Sequence, residues 1–137
     1  MKGMVDNMDI NKETKFYHCE ICKKVIEAIH NPGVPTICCG ESMKNLIANT
    51  VDAATEKHVP VYEVDEEKGE IIVQVGSVEH PMTDEHHIMW IAQETENTMT
   101  RVDLVPGERP IARLKYIPGS TIYEYCNLHG LWSTKVI

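Results

Sequence analysis

From about residue 45 onward, apolar and polar residues alternate over short segments of the chain. Such alternation is typical of β-strands, because successive side chains of a strand point to opposite faces. Turn-forming sequences separate the segments, among them D-E-E-K-G, E-T-E-N, V-P-G-E-R-P and I-P-G-S. The predicted strands are 58–64, 70–78, 87–93, 98–105, 111–117, 121–127 and 131–137. Seven short strands without a sustained helical period predict an antiparallel β-sandwich.

The first third of the chain lacks this alternation. Residues 1–15 are polar with no clean period, and we expect them to form a flexible or loosely docked extension. Residues 16–44 hold too little apolar surface to fold alone, so we expect a bound metal to stabilise them as a separate module. The strand-rich domain then covers residues 45–137, with the boundary near 43–50.

Cysteine spacing indicates the metal ligands of this module. The chain has five cysteines, and an odd number argues against a framework of disulfides. Cys19 and Cys22 form a C-x-x-C pair, Cys38 and Cys39 are adjacent, and Cys126 stands apart. Four thiolates suit tetrahedral Zn²⁺ or a single iron, and the ligand count does not decide between them. A C-x-x-C pair followed by C-C-G resembles desulforedoxin, a small mononuclear-iron fold, and this resemblance favours iron.

Composition narrows the classes of partner. The formal net charge of −8 argues against nucleic acid or an anionic membrane, since both require clustered Lys and Arg. No apolar run approaches the roughly 20 residues that span a bilayer. The first residues contain no continuous apolar segment of the kind found in a secretory signal, so we expect a cytoplasmic protein.

A second group of candidate ligands comes from three separated segments of the strand-rich domain. These ligands are His58, His80, His86, Cys126 and His129. Imidazole nitrogen with thiolate sulfur suits Fe, Cu or Zn rather than Mg or Ca. Five such ligands leave one coordination position open, which a redox enzyme needs in order to bind a small molecule.

Three motifs carry a family resemblance, namely E-K-H-V-P, G-S-V-E-H-P-M-T-D-E-H and E-Y-C-N-L-H-G-L-W. They resemble the signature segments of the superoxide reductases, in the same order and spacing. With the cysteine module, the chain is similar to the two-iron members of that family, the desulfoferrodoxins. The resemblance implies an immunoglobulin-like sandwich, which agrees with the strand pattern.

The resemblance also implies roles for individual residues. One iron would be held by the thiolates of Cys19, Cys22, Cys38 and Cys39, and the other by equatorial nitrogens of His58, His80, His86 and His129 with the axial sulfur of Cys126. Glu56 would occupy the sixth position in the oxidised state, and Lys57 would lie exposed beside it. The implied reaction reduces superoxide to hydrogen peroxide without producing oxygen. Rubredoxin or a similar small carrier would supply electrons, and the protein would be a homodimer.

Two other functions compete with this interpretation. An electron-transfer protein would have a closed second site that binds no small anion, and a structural zinc protein would be colourless. The remaining histidines have simpler explanations. His87 should point away from a metal that binds its neighbour His86, while His18 and His30 should be exposed. We expect Trp90 and Trp132 to be core residues, with Trp132 near the second site.

Overall fold

The computed structural model describes residues 15–137 of the chain. The predicted N-terminal extension, residues 1–15, therefore lies almost wholly outside the described residues. The chain divides into two compact units, with the boundary between Ile47 and Ala48. Among residues 15–137, no helix is both long and apolar enough to cross a membrane.

The smaller unit is a cysteine-rich module made of short strands. Its strands are β1 (Phe16–His18), β2 (Val25–Glu27), β3 (Ile37–Cys38), β4 (Glu41–Ser42) and β5 (Lys44–Leu46). β1 lies between β2 and β5 in an antiparallel sheet, while β3 and β4 form a separate hairpin. The buried apolar residues of this module are few, namely Phe16, Cys19, Met43 and Leu46. So small a core is typical of modules that a metal or another crosslink stabilises.

The hairpin between β3 and β4 explains why two adjacent cysteines can serve one site. Cys38 pairs with Glu41, so Cys39 and Gly40 are the two residues of the turn. Both have positive φ, 54° and 78°. Positive φ at both central residues is the signature of the type I′ turn that closes tight hairpins. The reversal gives Cys38 and Cys39 different backbone orientations, and their sulfur atoms lie 4.0 Å apart.

The larger unit is a β-sandwich preceded by one helical turn, α1 (Thr55–His58). Its strands are β6 (Pro60–Asp65), β7 (Glu70–Val75), β8 (Ile88–Glu94), β9 (Met99–Asp103), β10 (Ile111–Lys115), β11 (Thr121–Cys126) and β12 (Gly130–Lys135). One antiparallel sheet has the order β10-β7-β6 and the other has the order β12-β11-β8-β9. The predicted mainly β fold is therefore confirmed, with a small cysteine module followed by a sandwich of seven strands.

The strand order is that of an immunoglobulin-like sandwich. The first, second and fifth strands of this unit form one sheet, and the third, fourth, sixth and seventh form the other. The two sheets bury alternate residues of their strands, as in β7, where Ile71, Val73 and Val75 are fully buried. Ile122 and Cys126 of β11 belong to the same core, so one end of this core carries a thiol.

His58 corrects one prediction about local structure. We predicted that it begins a strand, but it ends the helical turn α1, and β6 begins two residues later at Pro60. The turn is closed by the Val59 N–H, which donates to the Thr55 carbonyl oxygen over 3.0 Å. Val59 is extended, as expected for a residue before proline. The strand therefore starts only after the chain has left the turn.

Residues 76–78, which follow β7, pack against and hydrogen-bond to the backbone of the helical turn. The Val78 N–H and the Ser77 hydroxyl both donate to the Glu56 carbonyl oxygen, over 2.9 and 3.2 Å. Gly76 lies so close that a Cβ atom there would be 2.6 Å from the Glu56 oxygen and 2.9 Å from the Lys57 carbonyl carbon. Only glycine fits at this position without moving the backbone of the turn.

Replacing Gly76 with alanine should therefore displace α1. We expect the Gly76→Ala variant to lose about 2–3 kcal/mol of unfolding free energy, because the clash is with backbone atoms that cannot rotate away. Denaturant unfolding measures this loss. Gly69→Ala is the matched control: Gly69 has a φ of 63° but nothing within 4 Å of an added Cβ. It should cost about 1 kcal/mol, and equal losses in the two variants would contradict the close-packing argument.

Candidate metal centres

The four clustered cysteines form a compact set of ligands in the smaller unit. The sulfur atoms of Cys19, Cys22, Cys38 and Cys39 all lie within 4.8 Å of one another. The Cys22 and Cys38 sulfurs are 3.6 Å apart. No disulfide joins the described cysteines, so each thiol is available to a metal. The predicted quartet is thus brought together by the C-x-x-C turn and the β3–β4 hairpin.

Crowding of these thiols makes their ionisation uneven. The pKa of Cys19 is lowered to about 7, chiefly because the backbone N–H of Cys22 donates to its sulfur. The pKa of Cys39 is raised to about 12, mainly by its hydrogen bonds with the neighbouring cysteine side chains. Four thiolates so close together repel one another unless a cation lies between them. The donor set therefore fits a tetrahedral Zn²⁺ or iron ion.

The second set of ligands lies at the end of β11 in the sandwich. Ligand atoms of His58, His80, His86 and Cys126 lie within 4.8 Å of one another. His58 comes from α1, and His80 and His86 come from the connection between β7 and β8. His58 and His80 are each 2 % exposed, and Cys126 is fully buried. Burial removes these polar groups from water, so they require other partners.

Backbone carbonyls fix which imidazole nitrogen faces the centre of the set. Nδ1 of His58 is 2.7 Å from the Ala54 carbonyl oxygen, and Nδ1 of His80 is 2.7 Å from that of Pro81. Because a carbonyl oxygen only accepts, each Nδ1 carries the proton and each Nε2 keeps its lone pair. Nε2 of His80 lies 3.5 Å from the Cys126 sulfur. This carbonyl-oriented arrangement is typical of histidines that bind metals.

His86 supplies an independent test of whether the set fits a metal. Its Nε2 atom is buried and has no hydrogen-bond partner. Its ring centroid lies 4.5 Å from that of His80. Buried nitrogen atoms almost always have a partner, so an orphan at this point needs a ligand that the protein does not supply. A metal ion bound by the neighbouring imidazoles and thiol satisfies the requirement.

His129, the fifth predicted ligand, lies beside these four residues but outside the group whose ligand atoms are all within 4.8 Å of one another. Its Nδ1 atom is 3.1 Å from Nε2 of His58 and 3.8 Å from the Cys126 sulfur. Trp132 fixes the backbone of His129, because its indole N–H donates to the His129 carbonyl oxygen over 3.1 Å. The same indole stacks on the His58 ring with a centroid separation of 4.9 Å. The structure therefore places Trp132 near the site and in the core.

Burial also sets the charge of the isolated ligands. It lowers the pKa of His58 and His86, and it lowers the pKa of His80 to about 4, so these imidazoles are neutral at neutral pH. It raises the pKa of the Cys126 thiol to about 11, although backbone N–H groups of Leu128 and His129 donate to the sulfur. Neutral imidazoles are ready to bind a metal, whereas the thiol must first lose its proton.

The other two residues to which the sequence assigns a role at this site are exposed to solvent. Glu56 and Lys57 are exposed on α1, directly before His58. The pKa of His86 is lowered mainly by burial and then by the charges of neighbouring histidines, and the positive charge of Lys57 adds a smaller effect in the same direction.

The remaining histidines lie outside both ligand sets. Nδ1 of His87 donates to the Thr83 carbonyl oxygen over 3.0 Å, and His87 is not among the residues whose ligand atoms cluster with those of His86. His30 is exposed, while His18 is half-buried rather than fully exposed as predicted.

Glu124 was missed by sequence analysis. It is fully buried on β11, and neither carboxyl oxygen has a hydrogen-bond partner among the described residues. Burial raises its pKa well above the usual range, so the carboxyl is neutral. Ile122, Glu124 and Cys126 share one face of the strand, and a charged residue between two core positions was the available signal.

The fold and these two ligand sets define a metalloprotein with two mononuclear sites, a thiolate site in a small module and a mixed histidine and cysteine site in a β-sandwich. The desulfoferrodoxin family model matches residues 50–135, and the model of its N-terminal domain matches residues 11–46. The chain belongs to the desulfoferrodoxin family.

Individual relatives agree with this family over most of their length. Desulfoferrodoxin from Syntrophotalea carbinolica is 44% identical over 125 residues, which cover 90% of this chain and 98% of the relative. Desulfoferrodoxin from Nitratidesulfovibrio vulgaris is 38% identical over 122 residues, covering 88% and 95%. The crystal structure of the superoxide reductase from Treponema pallidum superposes with a TM-score of 0.68 at 35% identity, covering 88% of this chain and 98% of that one.

The ionisation of Cys126 predicts a proton release on metal binding. At pH 8 its thiol is protonated because its pKa is about 11. Binding as thiolate must expel that proton, whereas the neutral imidazoles have none to give up. In a Zn²⁺ titration of the weakly buffered protein, wild type should release about one more proton per chain than Cys126→Ser. Equal release would show that Cys126 does not bind as a thiolate.

Proposed function

We propose that this protein is a superoxide reductase, which reduces superoxide to hydrogen peroxide by one electron without producing oxygen. The observation that carries the proposal is the buried set of neutral imidazoles around one thiol, with Nε2 of His86 left without a partner. A superoxide reductase superposes on the chain over most of its length, which supports the same activity.

Each ligand has a proposed place. Residues 16–44 form the iron module, held by Cys19, Cys22, Cys38 and Cys39, and residues 45–137 form the catalytic domain. In the catalytic domain, iron is bound by nitrogens of His58, His80, His86 and His129 and by the sulfur of Cys126. Iron held by these residues would supply the electron that reduces superoxide.

Lys57 guides the anionic substrate toward the site. The whole chain has a formal net charge of −8, which repels superoxide at long range. Charges beyond about 8–10 Å are largely screened at physiological salt, so the nearest charges dominate the final approach. Lys57 is exposed and directly precedes the ligand His58 in the chain, and its positive charge is among the smaller causes that lower the pKa of His86, after burial. Glu56, its neighbour on the same turn, is the proposed sixth ligand of the oxidised state.

The neutral histidines and the backbone donors keep the site ready for the metal. Nδ1 of His58 and Nδ1 of His80 hold their protons against carbonyl oxygens, so the Nε2 lone pairs stay aimed inward at any pH above the histidine pKa. Backbone N–H groups of Leu128 and His129 donate to the Cys126 sulfur and favour its thiolate form. Burial by Trp132 limits water on the inner side of the site.

Partners and location follow from the family and from the thiols. We propose that rubredoxin or a similar small carrier supplies electrons and that the protein is a homodimer, as the resemblance to two-iron members implies. We also propose a reducing compartment such as the cytoplasm, where the thiols of all five cysteines stay available to metals.

The decisive experiment exposes the reduced, iron-loaded full chain to pulses of superoxide. We expect superoxide to disappear at about 10⁸–10⁹ M⁻¹s⁻¹, near the diffusional ceiling. Each superoxide consumed should yield one hydrogen peroxide and oxidise one iron, with no oxygen released. Oxygen release would indicate dismutation instead. An oxidised state that forms only with an electron carrier, and never with superoxide, would favour the alternative of an electron-transfer protein.

Removing the charge of Lys57 should slow this reaction. We expect the Lys57→Ala variant to react roughly threefold more slowly at low salt, the effect of one exposed charge close to the site. The difference should shrink as ionic strength rises. Lys68→Ala, in the turn between β6 and β7, removes the same charge from an exposed position and is the control. If both variants react equally fast at every salt concentration, Lys57 has no guiding role.

A further inference from the structure

We propose that Asn127 is a positioning residue that fixes His86 in the metal site. The inference rests on the proposed function, because it takes His86 to be a ligand of the catalytic metal. Asn127 directly follows Cys126, whereas His86 lies in the connection before β8. One amide side chain therefore joins two ligand segments that are far apart in sequence.

The Asn127 amide binds the backbone on both sides of His86. Its Oδ1 accepts from the His87 N–H over 2.9 Å, and its Nδ2 donates to the Glu85 carbonyl oxygen over 2.9 Å. The Asn127 backbone N–H also donates to the His87 carbonyl oxygen over 3.2 Å. The side chain thus acts like an additional peptide group that continues the ladder between β11 and β8.

That continuation is needed because the regular ladder is interrupted here. Tyr125 pairs with Trp90 and Cys126 pairs with Ile88, so β8 carries one extra residue between them. Such a bulge bends the strand and changes the direction of the side chains that come before it. The Asn127 amide takes over where the backbone pairing ends, and it bonds to the backbone of residues 85 and 87.

Thr83 closes the same loop from its other end. The His86 N–H donates to the Thr83 hydroxyl oxygen over 3.1 Å, and the Thr83 N–H donates to the His86 carbonyl oxygen over 2.9 Å. These bonds shape the turn internally, but they do not tie it to β11. Within the described hydrogen bonds, Asn127 supplies the tie between this turn and the strand that carries Cys126.

His86 depends on such support more than His58 and His80 do. Those two rings have Nδ1 fixed by a carbonyl oxygen, whereas no hydrogen bond to either ring nitrogen of His86 is found among the described residues. His86 is also only half-buried, so packing restrains it less. Its distance from Cys126 is therefore set by the backbone of the loop, and the backbone is held by Asn127.

The test measures how fast a chelator removes iron from the full-length, iron-loaded protein. The visible charge-transfer band of the single-thiolate site reports its loss separately from the four-thiolate site. In Asn127→Ala we expect iron to leave the single-thiolate site at least about tenfold faster, the range found for residues that orient metal ligands. The band should also shift, while the four-thiolate site keeps its iron as in wild type.

Asn49→Ala is the matched control. The Asn49 side chain makes the same kind of paired bond, accepting from the Ser133 N–H over 2.9 Å and donating to the Ser133 carbonyl oxygen over 3.3 Å. It does so on β12, away from the His86 loop, and its φ of 64° makes alanine additionally unfavourable there. Its iron loss should match wild type even if its unfolding free energy falls as much.

A second variant guards against loss of folding. Asn127→Asp keeps the acceptor for the His87 N–H but loses the donor to the Glu85 carbonyl oxygen, so iron should leave at a rate between those of wild type and Asn127→Ala. Equal rates of iron loss in Asn127→Ala, Asn127→Asp and Asn49→Ala would overturn the proposal while leaving the proposed function intact. A wild-type chain that binds no iron at the single-thiolate site would overturn both.

Discussion

The larger unit is arranged around buried nitrogen and sulfur atoms that need a metal as their partner. His58, His80 and Cys126 are almost wholly removed from water, and Nε2 of His86 lacks a hydrogen bond. Burial of unpaired polar atoms is unfavourable, so a cation that binds them recovers energy that folding alone does not. The neutral imidazoles lower the barrier to this binding, because no proton has to leave them. The packing of the rest of the sandwich stabilises the buried ligand atoms, which would be unfavourable by themselves.

The sandwich brings together ligand-bearing segments that are distant in sequence. β11 carries Cys126 into the core, the helical turn α1 brings His58, and the connection between β7 and β8 brings two more imidazoles. Trp132 packs behind His58 and bonds to the backbone of His129. The ligands are therefore held by several kinds of contact. Carbonyl oxygens orient His58 and His80, while Trp132 contacts both His58 and the backbone of His129.

Much of this architecture is visible in the sequence, because alternation of apolar residues reflects burial directly. The strands, the two cysteine pairs and the histidine motifs were predictable for that reason. Position within a turn was harder to predict. His58 ends a helical turn because Val59 bonds back to Thr55, and a single such turn leaves no periodic signal. Partners across the fold, such as the carbonyl oxygens that orient His58 and His80, depend on tertiary structure and could not be predicted.

Because Gly76 packs against the backbone of the helical turn, the position of that backbone does not depend on which side chains the turn carries. The backbone of Glu56 and Lys57 is fixed from below by residues 76–78, whereas their side chains extend into solvent. The identity of those side chains therefore contributes little to how the turn is held or to where His58 lies. Under the proposed function, Lys57 can therefore be exchanged, and with it the charge that meets an incoming anion, while the backbone that places His58 stays the same. The charge presented to the substrate and the position of the ligand His58 are thereby adjustable separately, although the two residues are adjacent in the chain.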